Sequence, residues 1–291
     1  HKYSSYDSSI EAYGHPRDVK DFAKKAQLVN YNQYRALMEG ASAHMWDWYT
    51  GIIVWKTQNP WTAMVGQMYD VYLDPNACLF GLRTGSKPLH VMYNPIAKSV
   101  MVVNNGFKNT DKLKVTATAY DSKGNSKPLA EVYSLVGGSK VNTCHRFNKT
   151  LDSLSRNSGA FLYLALNDSA SNKLLDENIY WLPDAQGNYT GLRKMPEAEI
   201  TATARHAGKG KVEVTISNPQ QGSLAFFMHI TLIDTNTYER ILPVFCDNNY
   251  LTLLPGERRT IRIDHFAKKE QEPMVVIEGW NVEEQYIEIK Q

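Results

Sequence analysis

Two tryptophans, Trp55 and Trp61, bracket a run of polar side chains, Lys56, Thr57, Gln58 and Asn59, closed by Pro60. Indole faces stack on the apolar C–H faces of a sugar ring, while amides and an ammonium supply the donors and acceptors that its hydroxyls need. Saccharide binding is the chemistry that these residue types suit. The same run also reads as a loop after a core strand, carrying one structural Trp, and both readings stand at this level. Parts for other chemistries are missing from the sequence: there is no Ser/His/Asp arrangement, no Gly-rich phosphate loop and no HExxH motif. The eight histidines are scattered, and His15, His90, His145 and His229 read as packed or surface residues rather than metal ligands. Glycoside hydrolysis needs a pair of carboxylates held about 5–10 Å apart. Glu11, Asp18, Asp21 and Glu39 are expected to face solvent, and Asp70, nearer Trp61, is a single carboxylate. The chain alone lacks the parts for catalysis, and neither a metal nor a cofactor is expected.

The elements that must position this run come next. Gly51 leads into Ile52, Ile53, Val54 and Trp55, an apolar stretch without polar alternation, which predicts a strand buried on both faces. Ahead of it, Pro16 and Asp18 signal a helix start, and Phe22, Ala26, Val29, Gln33 and Leu37 recur at helical spacing. That helix is expected to run to residues 38–46, with Gly40 as a weak point. Helix followed by buried strand is an α/β unit, and a single parallel strand needs partners that this chain does not offer. A short helix is expected from Asp74-Pro75 through Cys78 and Leu82, with Gly81 and Gly85 weakening it.

After Pro88 the texture changes to short alternating or β-branched runs. They lie at residues 89–93, 99–103, 113–120, 130–135, 161–166 and 179–182, separated by turns such as Asn104-Asn105-Gly106. This predicts an immunoglobulin-like sandwich over 88–183. A Pro/Gly/Asn/Asp-rich stretch at 184–196 reads as a linker. The strand rhythm then resumes through Val212, Val214 and Ile216, and at 224–232, 241–245, 250–254, 260–263 and 274–277, predicting a second sandwich over 197–291.

The 291 residues carry a net charge of +2, so no global field points to nucleic acid or an anionic membrane, and neither partner is expected. Apolar residues make up 43%, enough for sizeable cores. Cys78, Cys144 and Cys246 fall in three different expected domains and are predicted to be reduced. Asn148, Asn167 and Asn188 head glycosylation sequons. The first residue is His1 rather than Met, and a mature, processed or excised piece is expected.

Several stretches, in order, resemble glycoside hydrolase family 2. They are Ala26-Gln27-Leu28-Val29-Asn30-Tyr31, Tyr49-Thr50-Gly51 through Trp61, Gln67-Met68-Tyr69-Asp70, Lys87-Pro88-Leu89-His90-Val91, Asn178-Ile179-Tyr180-Trp181-Leu182 and Leu254-Pro255-Gly256-Glu257. The nearest branch is that of the mannosylglycoprotein endo-β-mannosidases, with exo-β-glucosaminidases and β-mannosidases further off. The resemblance implies a multidomain α/β plus all-β chain: residues 1–87 as the C-terminal end of a TIM (β/α)8 barrel, followed by two immunoglobulin-like β-sandwich domains. It further implies that the acid/base and nucleophile glutamates lie upstream, so no catalytic residue is expected in this chain, and that the partner is an N-terminal chain carrying the rest of the barrel. Trp55 would then floor the sugar site, Lys56, Gln58 and Asn59 would bind hydroxyls of an oligosaccharide, and Trp61 would pack beside them. A non-catalytic carbohydrate-binding sandwich module is the rival expectation.

Overall fold

The computed structural model describes residues 7–62, 67–147, 150–154 and 159–291. The helices are α1 (Asp7–Glu11), α2 (Val19–Ala43), α3 (Ala77–Gly85) and α4 (Thr150–Leu154). The first seven strands are β1 (Leu89–Asn94), β2 (Ser99–Asn104), β3 (Leu113–Tyr120), β4 (Ser126–Ser134), β5 (Lys140–Arg146), β6 (Ala160–Asp168) and β7 (Leu174–Leu182). A 3-10 turn at Thr190–Lys194 precedes β8 (Thr201–His206), β9 (Lys211–Ser217), β10 (Ala225–Asp234) and β11 (Val244–Cys246). The chain closes with β12 (Leu251–Leu253), β13 (Arg258–His265), β14 (Pro273–Glu278) and β15 (Gln285–Lys290). The described residues fall into two compact units, one of residues 7–54 with 81–194, the other of Trp55–Phe80 with Met195–Gln291.

In the first unit a three-stranded sheet, β1-β2-β5, and a four-stranded sheet, β4-β3-β6-β7, enclose one core. Strand β3 shows why: Leu113, Val115, Ala117 and Ala119 alternate with half-buried Lys114, Thr116, Thr118 and Tyr120. The period of two puts every apolar side chain on the inner face, where full burial of each large one contributes about 1.5–3 kcal/mol. Helix α2 packs on this sandwich. The helix of the expected α/β unit thus lies against the sandwich, joined to it by Arg35 and Glu39. Asp18 caps it, its Oδ1 accepting from Asp21 N at 2.8 Å. Gly40 lies inside the helix and does not end it. Its buried line includes Lys25, Leu28, Arg35 and Glu39, while Leu37, expected on the apolar face, is half exposed. Gly81 and Gly85, which weaken α3 by propensity, serve its close approach to α2. A Cβ on Gly81 would strike the Tyr31 carbonyl oxygen, and one on Gly85 would lie 2.7 Å from the Arg35 oxygen.

In the second unit eight strands form one sheet in the order β11-β13-β9-β8-β15-β14-β10-β12. All its pairings are antiparallel except β15 with β8. The sheet folds over itself, so that Val212, Val214 and Ile216 of β9 share a core with Ile230 and Leu232 of β10 and with Val275 and Ile277 of β14. The β-sandwich expectation thus corresponds to an observed all-β architecture, with β5, β8 and β15 added to the strands read from sequence.

The barrel does not appear among the described residues. Residues 52–55, expected as a strand buried on both faces, form no strand, and Ile53 and Trp55 are 96% and 88% exposed. A parallel strand exists only through the hydrogen-bond ladder of its neighbours, and nothing in the described chain supplies one here.

Candidate functional site

The run from Trp55 to Trp61 is held by the segment that follows it. Tyr69 N donates to Thr57 O at 3.1 Å, and Gln58 and Tyr69 form a short parallel bridge. Beyond Tyr69 the chain is tied into a tight knot. Asp70 Oδ1 accepts from Tyr72 N at 2.8 Å and from Asp74 N at 2.9 Å, and Asn76 N donates to Met68 O at 2.8 Å. Gln67 O accepts from Asn76 Nδ2 at 2.8 Å and from Cys78 Sγ at 2.9 Å. Burial pushes the Cys78 thiol up to about 12, so at neutral pH it is a protonated donor rather than a nucleophile. The knot is fixed to the sandwich of its own unit by two anchors. Arg240 grips Asp74 with both guanidinium nitrogens, Nη1 to Oδ2 at 2.7 Å and Nη2 to Oδ1 at 2.8 Å. Phe80 packs on Tyr250 with ring centroids 5.8 Å apart.

On this support the five expected site residues are placed differently from one another. Trp55 is almost fully exposed, and Trp61 is half exposed. The peptide between Trp55 and Lys56 is cis. Lys56, half-buried, has its Nζ 5.3 Å from the centroid of the Trp61 ring, a cation–π approach. Gln58 is half-buried and held through its backbone. Asn59 is 5% exposed, and its Oδ1 is buried with no hydrogen-bond partner among the described residues. An unsatisfied buried acceptor costs about 1–3 kcal/mol, so a site that keeps one is suited to receive a donor. The structure therefore brings Lys56 and Trp61 together and leaves the Trp55 side chain almost fully exposed. Chemically the run offers two indole faces, one ammonium and one orphan carbonyl, which are binding groups and hold no acid/base pair. Among the described residues no group of three or more His, Cys, Asp or Glu is arranged to hold a metal ion.

A second constellation escaped the sequence reading. Glu39, expected to face solvent, is buried in the first unit, and this is a correction. Its Oε1 accepts from Tyr180 OH at 2.8 Å and Asn178 Nδ2 at 2.8 Å, and lies 3.2 Å from His90 Nε2. The other side of the imidazole meets Asp176, with Nδ1 2.8 Å from Oδ2; Asp176 also accepts from Lys87 Nζ at 2.5 Å and from Val91 N at 2.8 Å. One turn back on α2, Arg35 donates to Ile179 O at 2.6 Å and Asn178 Oδ1 at 3.2 Å, with its guanidinium carbon 4.2 Å from the Tyr180 ring centroid. Burial alone would lower the His90 pKa, but its hydrogen bonds to Asp176 and Glu39 outweigh that and raise it. Burial would raise Asp176, yet the His90 hydrogen bond and charge, with Lys87, hold it below the usual carboxylate range. Burial and the nearby Glu39 push Tyr180 far up, so it remains a donor. Asp21, also expected to face solvent, is half-buried and pairs with buried Lys25 at 3.0 Å. The one available signal was the Arg35 to Glu39 spacing of four, which puts both charges on one helix face. Every partner of Glu39 here is itself buried protein, so the cluster joins helix to sandwich and offers no opening to a ligand.

A family model described as the exo-β-D-glucosaminidase Ig-fold domain matches residues 178–282. The mannosylglycoprotein endo-β-mannosidase of Lilium longiflorum is 29% identical over 357 residues, covering 99% of this chain and 37% of that protein. The exo-β-D-glucosaminidase of Hypocrea virens is 30% identical, covering 87% of this chain and 31% of that protein. Among solved structures, the Amycolatopsis orientalis exo-chitosanase CsxA superposes with a TM-score of 0.85 at 27% identity, over 97% of this chain and 36% of that one. A β-D-mannosidase from Dictyoglomus thermophilum, at 14% identity and a TM-score of 0.73, shares the fold. The chain spans about a third of the length of the curated relatives it matches. These relatives are glycoside hydrolases.

Proposed function

We propose that this chain, which matches the C-terminal portion of glycoside hydrolase family 2 enzymes, is the C-terminal portion or subunit of a retaining β-glycosidase cleaving β-mannosidic linkages in glycans. In this reading residues 1–87 complete a TIM barrel, and an upstream chain supplies the remaining barrel and the pair of catalytic glutamates. Residues 88–183 and 197–291 are its sandwiches, joined by a linker at 184–196. Trp55 forms the floor under the reacting sugar, and Lys56, Gln58 and Asn59 bind hydroxyls, with Trp61 beside them. Stacking under a ring that flattens toward an oxocarbenium ion holds the distorted geometry and keeps water away.

The observation that carries this reading is one run that holds both an exposed indole and a buried Asn59 oxygen with no partner among the described residues, tied through Tyr69 to the segment that Arg240 clamps at Asp74. Exo-β-glucosaminidase activity is the second reading, favoured by the family match over residues 178–282 and by the exo-β-D-glucosaminidases among the relatives. The test is to assay the parent enzyme and its Trp55→Ala variant on β-linked mannosides and β-linked glucosaminides side by side. A fall of roughly 30- to 1,000-fold in turnover is expected on the true substrate, equivalent to about 2–4 kcal/mol. A folded Trp55→Ala enzyme with near-normal turnover on both substrates would sink the assignment.

A further inference from the structure

The run from Trp55 to Trp61 belongs to no helix or named strand, so its position is inherited from what it is tied to. Tyr69 is that tie. It bridges Gln58 in parallel on one side and Pro75 in antiparallel on the other, and its N–H donates to Thr57 O at 3.1 Å. Pro75 follows Asp74, which is closed onto Asp70 by two hydrogen bonds: Asp74 N donates to Asp70 Oδ1 at 2.9 Å, and Asp70 N donates to Asp74 O at 3.1 Å. The Asp74 carboxylate is then gripped by two nitrogens of Arg240, across 166 residues of chain. Arg240 is fixed in its turn. It bridges Ile233 of β10, and its neighbour Ile241 sits in the sandwich core and donates from N to Leu232 O at 2.9 Å. The return that leads to it is closed by Asp234, whose carboxylate accepts from Asn236 N, Thr237 Oγ1 and Glu272 N. A continuous bonded path thus runs from the core of the second sandwich to Gln58.

We propose that Arg240 is a positioning residue for this run: through Asp74 and Tyr69, the second sandwich sets where Lys56, Gln58 and Asn59 stand against a bound sugar. That the run binds a sugar rests on the function proposed above; the bonded path does not. A single ion pair would let the Asp70–Asp74 turn swing about it. Two parallel N–H···O bonds fix orientation as well as distance, and a lysine at position 240 could not form that fork. The clamp is poorly suited to serve stability alone, because the Arg240 side chain is 36% exposed and solvent screens the pair. Phe80 on Tyr250 keeps the knot attached without it, so removing Arg240 frees the knot's orientation rather than its attachment. The consequence falls on geometry. A wall displaced by about 1 Å still meets the sugar ring, yet its donors and acceptors miss the hydroxyls as the ring distorts. A misplacement of that size costs on the order of 100-fold in rate, and the loss appears in kcat more than in KM.

The test compares Arg240→Ala, Arg240→Lys, Asp74→Ala and the Asp74→Ala/Arg240→Ala double variant. Arg205→Ala, which breaks an ion pair with Glu213 on the same sandwich, is the control. In the 291-residue chain, hydrogen exchange is read at the Tyr69 amide and the resonance position at the Trp61 indole. Arg240→Ala is expected to speed exchange at Tyr69 by roughly tenfold and to shift the Trp61 indole. The Trp181 indole, which donates to Tyr13 OH in the first unit, should stay in place. In the parent enzyme, kcat should fall by roughly 10- to 100-fold with KM altered by less than about threefold. The double variant should be no worse than either single one, since all three break the same link. Arg240→Lys should recover part of the turnover, and Arg205→Ala should change nothing. An unchanged Tyr69 amide and Trp61 indole in Arg240→Ala, losses that multiply in the double variant, or a lysine variant equal to the parent would each overturn the proposal. So would a melting temperature that falls in step with turnover across the set, which would make the clamp an ordinary structural pair. If Trp55→Ala keeps its turnover, the sugar-site reading fails and the exchange data still judge the clamp. If Trp55→Ala loses turnover while the Arg240 variants keep it, the clamp fails and the sugar-site reading stands.

Discussion

The run from Trp55 to Trp61 and the cluster around Glu39 use the same kinds of side chain, aromatics with amides and charges, to opposite ends. In the cluster each polar atom meets another: Glu39 Oε1 accepts from Tyr180 and Asn178, and Asp176 is shared by His90, Lys87 and the Val91 amide. In the run one indole is 88% exposed, and a buried amide oxygen has no partner among the described residues. A saturated polar network in low dielectric rigidifies a fold, whereas an unsaturated one keeps its binding capacity for something else. Residue type does not separate the two. Satisfaction does.

The sharpest way to break this contrast is Asp176→Ala, which leaves buried His90 facing Glu39 without its second carboxylate. A loss of about 3–5 kcal/mol in unfolding free energy is expected, read by urea denaturation. A loss under about 1 kcal/mol, the scale of exposed ion pairs, would show that the cluster is not what joins α2 to the sandwich.

Next in size is Trp55→Ala in the parent enzyme, with turnover down by the 30- to 1,000-fold given above and stability within about 0.5 kcal/mol, as for an exposed side chain. Lys211→Ala on the second sandwich, also exposed, should alter neither quantity. If Trp55→Ala costs stability and spares turnover, the contrast between the two regions inverts.

The cluster should also impose a pH dependence that the run does not. His90 is raised above its ordinary 6.5, so its contribution to stability is complete below 6.5 and is lost as pH rises through the folded-state value. Asp176 is lowered from 3.8, so its contribution is complete above 3.8 and is lost as pH falls through its folded-state value. The joint contribution is therefore greatest between these two limits. Denaturation across pH 3 to 9 should show a drop on the alkaline side that disappears in His90→Gln; an unchanged profile in that variant would remove His90 from the account.

The smallest expected effect is also the most discriminating. Asn59→Ala removes an orphan buried acceptor, so stability should stay level or rise by up to about 1 kcal/mol. Turnover should fall, though by less than in Trp55→Ala, since one hydroxyl contact is worth about 1–3 kcal/mol when its partner is left unpaired. A stability loss without a change in turnover would make Asn59 an ordinary core residue.

Much of this architecture was legible in the sequence, and for local reasons. The alternation in β3 and β9, the Asp18 cap and the periodicity of α2 are written in neighbouring residues, and local rules read them. The stretches quoted for the family resemblance likewise lie along the chain in order. Strands β5, β8 and β15 were missed because their side chains are largely exposed or half-buried, and exposure erases the apolar signal.

Tertiary structure alone decided the rest. Glu39 meets His90, Asn178 and Tyr180 across 51, 139 and 141 residues of chain, and no local pattern distinguishes it from a solvated glutamate. The glycines of α3 look like weak helix positions until the carbonyls of Tyr31 and Arg35 are seen beside them. The apolar residues 52–55 read as a buried strand because composition reports what a segment could bury, while a strand needs neighbours to pair with, and only the folded chain shows whether they are there.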